Sequence, residues 1–184
     1  MLERRTPLES MPEGLMPDGL HLAAVRDRGL LLLQSASSPA MQQALERELG
    51  LPLPAAQQVT ALGEYALLWL APGQWLLDLP AKMTASIETA LGGRLEATLA
   101  AVTDLSDALI SLELGGALAP EILMSGCSVD LRPHAFPPGC LARTALAAVP
   151  AILWNPGAPE RIRCLIECAF ADHMLSWLRS ATRR

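Results

Sequence analysis

A chain of 184 residues with a formal charge of −5, 51% apolar and 18% charged side chains is long enough for one ordinary domain or two small ones sharing a core, and too apolar to be disordered. The basic residues are almost all arginine, with Lys82 the sole lysine, and they form no clustered basic face, which leaves no counterion-release engine for nucleic acid. No apolar run approaches the roughly 18 residues of a membrane span; Met1 to Asp18 carries charges and three prolines where a signal peptide is apolar, so a cytoplasmic chain without membrane association, its four cysteines reduced, is expected.

Residues 1–19 read as an extended arm, because Pro7, Pro12, Pro17, Gly14 and Gly19 interrupt any regular element. Leu20 to Arg26 and Gly29 to Gln34 read as short strands around the polar Asp27-Arg28 turn. The helix that follows is well punctuated: Ser38 caps it, Pro39 suits its first turn, and Gly50 with Pro52 stops it. Met41, Leu45 and Leu49 give it one apolar stripe. Tyr65, Leu67 and Trp69 then alternate along one strand and Trp75, Leu77 and Leu79 along the next, with Pro72-Gly73 at the centre of a type II turn. Ala81 to Leu91 is a second amphipathic helix, expected to stop at Gly92-Gly93, and Glu96 to Asp104 returns as a strand. The order is strand, helix, strand, strand, helix, strand, which is the ferredoxin-like arrangement with two helices on one face of an antiparallel sheet.

A second unit begins with the alternating strand at Leu109 to Leu114, turns at Gly115-Gly116 and holds a short helix around Leu118, Ile122 and Leu123 that ends at Gly126. Leu131 to Gly139 is an extended proline-rich connection, Leu141 to Ala148, Ala151 to Trp154 and Ile162 to Glu167 are strands, and Phe170, Met174, Leu175 and Leu178 stripe a closing helix. The fold class is α+β, with two antiparallel sheet layers and packed helices: an arm over 1–19, a ferredoxin-like unit over 20–104, and a second α+β unit over 105–184 packed on the first.

Cys127, Cys140, Cys164 and Cys168 contain no C-x-x-C pair and read as small buried hydrophobes. Asp104 and Asp107 cluster with Thr103 and Ser106 at a strand junction, where Asp and Ser bond to nearby backbone more readily than they form an acid/base pair. Gly115-Gly116 ahead of a helix falls short of a phosphate loop, and His134 lacks metal-type spacing. Of Trp69, Trp75, Trp154 and Trp177, the alternation of strands sends half to the core. No catalytic constellation is visible, and no catalytic, cofactor or metal residue is assigned.

Four segments, taken in order, carry a resemblance: Ala66 to Leu77 (ALLWLAPGQWLL), Thr103 to Ala108 (TDLSDA), Asp130 to Cys140 (DLRPHAFPPGC), and Phe170-Ala171 with Trp177-Leu178. The set resembles the gamma subunits of heterotetrameric sarcosine oxidases from about Gly29 to the C-terminus. The resemblance implies a reduced relative of the aminomethyltransferase and folate-binding fold, working beside alpha, beta and delta subunits in a complex that oxidises sarcosine to glycine with O2 and tetrahydrofolate. It places NAD, the folate site, FAD, FMN and zinc on those other subunits and no cofactor on this chain. Aminomethyltransferases present an acidic pair after a Gly-Gly turn. The matching stretch here, Ala147 to Trp154, has neither glycine nor carboxylate, and Ile152 and Leu153 offer no polar clamp for a pterin. The expected role is structural, with Asp130, Arg132, His134, Phe136 and Trp154 as the candidate interface, since Arg and Trp are favoured in such places. The alternative is a stand-alone folate-binding module without methyltransferase chemistry, because pteridine pockets are mostly apolar.

Overall fold

The computed structural model describes residues 14–15, 20–158 and 160–182. These residues form two antiparallel sheets in two units. The first unit comprises residues 27–107 with 139–141; the second comprises 108–138 and 142–182 together with the described residues before Asp27.

In the first unit, β3 (Arg28–Ser35) leads into α1 (Ser38–Leu49), then β4 (Val59–Leu62), β5 (Tyr65–Ala71), β6 (Gln74–Pro80), a single 3-10 turn, α2 (Thr84–Leu95) and β7 (Ala100–Asp104). The sheet order is β4-β5-β6-β3-β7, which is the expected ferredoxin-like order with one further edge strand, β4. That strand escapes sequence reading because it is four residues of half-buried to exposed Val, Thr, Ala and Leu, too short to show a period. Helices α1 and α2 share one core with the sheet: Met41, Ala44 and Leu45 from α1 and Ile87, Leu91 and Leu95 from α2 meet Leu31, Leu33, Leu67, Trp75, Leu77 and Leu79. Pro39 sits in the first turn of α1 and Gly50, in the left-handed region at φ 67°, closes it. Gly73 takes φ 73° in the turn between β5 and β6, and its carbonyl accepts the Ser35 N–H at 2.9 Å.

Helix α2 runs through Gly92 and Gly93 where a stop is expected. Each glycine costs about 1 kcal/mol against alanine in a helix, but continuing the helix buries Leu95 at 3% exposure, and burying a leucine contributes about 1.5–3 kcal/mol.

The second unit holds β1 (Gly14–Leu15), β2 (His21–Ala24), β8 (Leu109–Gly115), α3 (Ala119–Met124), β9 (Leu141–Leu146), β10 (Val149–Trp154), β11 (Arg161–Glu167) and α4 (Ala171–Ala181), with sheet order β1-β2-β8-β11-β10-β9. Two boundaries differ from expectation. The strand after Leu20, assigned by sequence order to the ferredoxin-like unit, pairs with β8 through Leu22↔Leu114 and Ala24↔Leu112 and so belongs to this second sheet. Within the expected arm, Gly14 and Leu15 form a two-residue strand on β2, and the remainder of residues 1–19 lies outside the described residues. Pro150, expected to separate strands, stands exposed inside β10. The turn before it is Ala147-Ala148, with both residues at positive φ, 49° and 66°. A positive φ at both central positions marks the tight type I′ hairpin turn, normally given to Asn-Gly.

No helix among the described residues is long and apolar enough to cross a membrane. Because a Cβ at Gly92 or Gly93 meets nothing within 4 Å, Gly92→Ala and Gly93→Ala are each expected to raise stability by about 0.5–1 kcal/mol in urea unfolding; a loss of stability would contradict the helical assignment there.

Candidate functional site

The segment between α3 and β9 carries no regular element, yet it is pinned at several points. Leu131 and Phe136 are buried at 2% and 4% exposure and act as its two anchors. The Ala135 and Phe136 amides both donate to the Arg132 carbonyl at 2.9 Å, and Asn155 Nδ2 donates to the Phe136 carbonyl at 2.9 Å. Pro133, Pro137 and Pro138 restrict the backbone further.

Above these anchors, Asp130 is held by Arg132 in a bidentate pair, Nε to Oδ1 at 2.8 Å and Nη2 to Oδ2 at 2.6 Å, while the Arg132 amide donates to Oδ1 at 3.1 Å. The Arg132 hydrogen bonds hold the Asp130 carboxyl down at about 2. His134 Nε2 lies 3.9 Å from Asp130 Oδ2. Half-buried Asp130 and exposed Arg132 and His134 thus form a polar row on a rigid loop.

The other two expected interface residues are placed differently. Phe136 and Trp154 are both 4% exposed and belong to the interior. Trp154 lies opposite Arg163 in the β10–β11 register, with the guanidinium carbon 5.1 Å from the indole centroid. Arg163 in turn lies opposite Glu113, and Glu113 accepts from Arg163 at 3.4 Å and from Arg161 at 2.7 Å. This cross-strand row of Trp154, Arg163 and Glu113 is invisible to sequence reading, because its members come from three strands up to 50 residues apart. Trp75 is likewise buried, while Trp69 and Trp177 are half-buried.

The acidic cluster after β7 is a turn. Asp104 Oδ1 accepts from the Ser106 amide at 2.8 Å and from the Ser106 hydroxyl, and that hydroxyl accepts the Leu30 N–H at 2.9 Å. Asp104 therefore ends the β3–β7 ladder. Asp107 is exposed three residues further on. At Gly115-Gly116 the Gly116 amide is occupied by the Glu160 carbonyl at 3.0 Å, which removes it from any anion cradle. All four cysteines are free thiols; Cys164 is buried and Cys127, Cys140 and Cys168 are half-buried. Burial, with Cys127 adding to it, pushes the Cys164 thiol up to about 12.

The family described as "Sarcosine oxidase, gamma subunit family" matches residues 34–184. The chain belongs to this family. The sarcosine oxidase gamma subunit of Corynebacterium sp. (strain P-1) is 32% identical over 97% of this chain and 89% of its own length, and that of Arthrobacter sp. is 33% identical over the same shares. Among solved structures, a chain of the heterotetrameric sarcosine oxidase from Corynebacterium sp. U-96 in complex with pyrrole 2-carboxylate superposes with TM-score 0.87 at 28% identity, covering 98% of this chain and 95% of that one. The glycine cleavage system aminomethyltransferase T from Bartonella henselae shares the fold, with TM-score 0.63 at 15% identity over 86% of this chain and 45% of that one. The gamma-subunit family and the aminomethyltransferase-like α+β fold expected from the sequence motifs are therefore both shown.

Two predictions follow from the geometry of this gamma chain. The Asp130 carboxyl sits at about 2, below its ordinary 3.8, so its pairing with Arg132 contributes stability fully above that ordinary value, and the contribution fades as pH falls toward 2. In a carbon-detected NMR titration Asp130 is expected to move at a midpoint near 2, and Arg132→Ala to return it toward 3.8; an unshifted midpoint in the wild-type chain would contradict the bidentate pair. Cys164 is expected to resist iodoacetamide at pH 8 until the chain unfolds, and its alkylation in the native state would contradict its burial.

Proposed function

We propose that this gamma subunit is a non-catalytic, assembly component of a cytoplasmic heterotetrameric sarcosine oxidase. In that complex sarcosine is oxidatively demethylated to glycine. Its one-carbon unit passes to tetrahydrofolate as methylene-tetrahydrofolate, and the two electrons reduce O2 to hydrogen peroxide. The partners are the alpha, beta and delta subunits, which carry the NAD, folate, FAD, FMN and zinc sites.

The observation that carries this reading is the β9–β10 hairpin. Ala147 and Ala148 both hold positive φ, 49° and 66°, where aminomethyltransferases place Gly-Gly, so the turn is kept. The strand that follows, Val149–Trp154, contains no ionisable side chain, and general acid/base chemistry needs one within hydrogen-bond reach of the proton it moves. The same strand offers a pterin no polar clamp, so the residues present do not fit folate. The polar row of Asp130, Arg132 and His134 supports the assembly role, because a loop already ordered loses little entropy on docking.

The test is subunit exchange in the co-expressed complex. Replacing Arg132 and His134 together by alanine is expected to lower co-purification several-fold, while Asp104→Ala, once assembled, keeps kcat unchanged. A pure loss of kcat in Asp104→Ala with normal assembly would overturn the non-catalytic role.

A further inference from the structure

We propose that the outer edge of β7 is a docking strand, to which an extended segment of another subunit adds as a further strand of the sheet. This rests on the assembly role above. The β3–β7 register pairs Leu31 with Asp104, Leu33 with Val102 and Ser35 with Ala100. The bonds at its two ends run from the Leu105 amide to the Leu30 carbonyl at 2.8 Å and from the Ala36 amide to the Leu99 carbonyl at 3.1 Å. In an antiparallel ladder these bonded positions alternate. Residues 99, 101, 103 and 105 therefore face β3, and the N–H and C=O groups of Val102 and Asp104 point away from it. In the described sheet β7 is terminal, so no strand lies on that side.

The opposite edge of the sheet is treated differently. Beside β4, the chain covers itself: Gln58 bridges to Cys140, the Val59 amide donates to the Gly139 carbonyl at 2.8 Å, and the Leu141 amide donates to the Gln57 carbonyl at 2.9 Å. Sheet edges that stay in water are ordinarily blunted by lysine, proline or a bulge. The β7 sequence, AAVTD, has no lysine or proline, its pairing has no bulge, and its one charge, Asp104, is turned onto Ser106. Ala101 and Thr103 are small and exposed, so a strand can approach closely.

The chemistry of the occupant follows from what surrounds the edge. At the start of β7 lies a shallow cleft of about 550 Å³ lined by Gln34, Ser35, Gln74, Thr98 and Leu99 among others, without an ionisable side chain. Leu99 stands 85% exposed at its rim. That end takes an uncharged side chain against amides, hydroxyls and one leucine. The far end carries the exposed carboxylate of Asp104, whose negative charge favours lysine or arginine in the incoming segment. A second copy of this chain would bring its own net charge of −5 and is opposed by like-charge repulsion. The occupant is therefore a proline-free strand of a partner subunit, uncharged where it crosses the cleft and basic where it passes Asp104, bound by main-chain hydrogen bonds.

The test uses the full-length chain alone and in the co-expressed complex, with amide hydrogen exchange resolved at β7. On assembly the Val102 and Asp104 amides are expected to slow at least tenfold, whereas those of Ala101 and Thr103, already bonded to β3, change little. Val102→Pro removes an outward donor at an edge position where proline is tolerated; it is expected to leave the melting temperature of the free chain nearly unchanged and to cut co-purification about tenfold. Equal exchange at Val102 and Asp104 in free and assembled chain, or undiminished co-purification of a folded Val102→Pro variant, overturns the proposal. So does slow exchange in the chain alone accompanied by dimerisation, which would make the occupant a second copy. A wild-type chain that captures no other subunit overturns the assembly role itself.

Discussion

Arg28 binds together three pieces of chain that the ferredoxin-like sheet depends on. It opens β3, an interior strand paired with β6 from Arg28↔Pro80 to Gln34↔Gln74 and with β7 from Leu31↔Asp104 to Ser35↔Ala100. Its Nε donates to Asp78 of β6 at 2.6 Å and its Nη2 to the Glu64 carbonyl between β4 and β5 at 2.6 Å. Asp78 is 2% exposed, and a carboxylate so deeply placed persists only with charged and hydrogen-bonding partners. One guanidinium thus fixes the start of β3 against β6 and against the β4–β5 turn. With β3 fixed, Leu31 and Leu33 point at α1 and α2, and β7 receives its register.

That register also sets what the surface offers. It turns one half of the β7 main chain inward and the other half outward, and it brings Asp104 to the end of the ladder, where Ser106 donates to its carboxyl and takes the Leu30 N–H on its own hydroxyl. In the second unit the hairpin at Ala147-Ala148 places two alanines in the left-handed region that favours glycine; the Ala147 carbonyl is bonded by His173 Nε2 and its amide by the Gly126 carbonyl, both at 2.9 Å. A left-handed alanine costs roughly 1 kcal/mol or more, so these tertiary bonds hold the backbone where the sequence alone would not.

Much of this was legible in the residues. The period-two alternation of Tyr65, Leu67, Trp69 and of Trp75, Leu77, Leu79, with Pro72-Gly73 between them, marks a hairpin by local chemistry alone. Pro39 in the first turn and Gly50 at the end mark α1 for the same reason, although Ser37 and not Ser38 stands at the N-cap and no serine side chain caps the helix. What stayed hidden depends on distant partners. Leu20 to Ala24 looks like any short strand, and only β8, nearly ninety residues on, decides its sheet. Gly92-Gly93 reads as a stop until Leu95 is seen to need burial. Phe136 and Trp154 look like surface anchors in a proline-rich stretch and before a turn, yet Asn155 and Arg163 hold them inside. Asp130 and Arg132, named from the sequence for their charge, pair with each other on the proline-rich loop, a contact two residues apart that local chemistry makes legible.

The most direct measurement of the central claim is affinity purification of the tagged full-length chain from its native host, with an absorbance spectrum and an oxygen electrode trace on the eluate. The account predicts a yellow, flavin-bearing complex of several subunits that consumes oxygen when sarcosine is added. A colourless chain that purifies alone, and whose tryptophan fluorescence falls on addition of tetrahydrofolate, would contradict it and establish a free-standing folate-binding module.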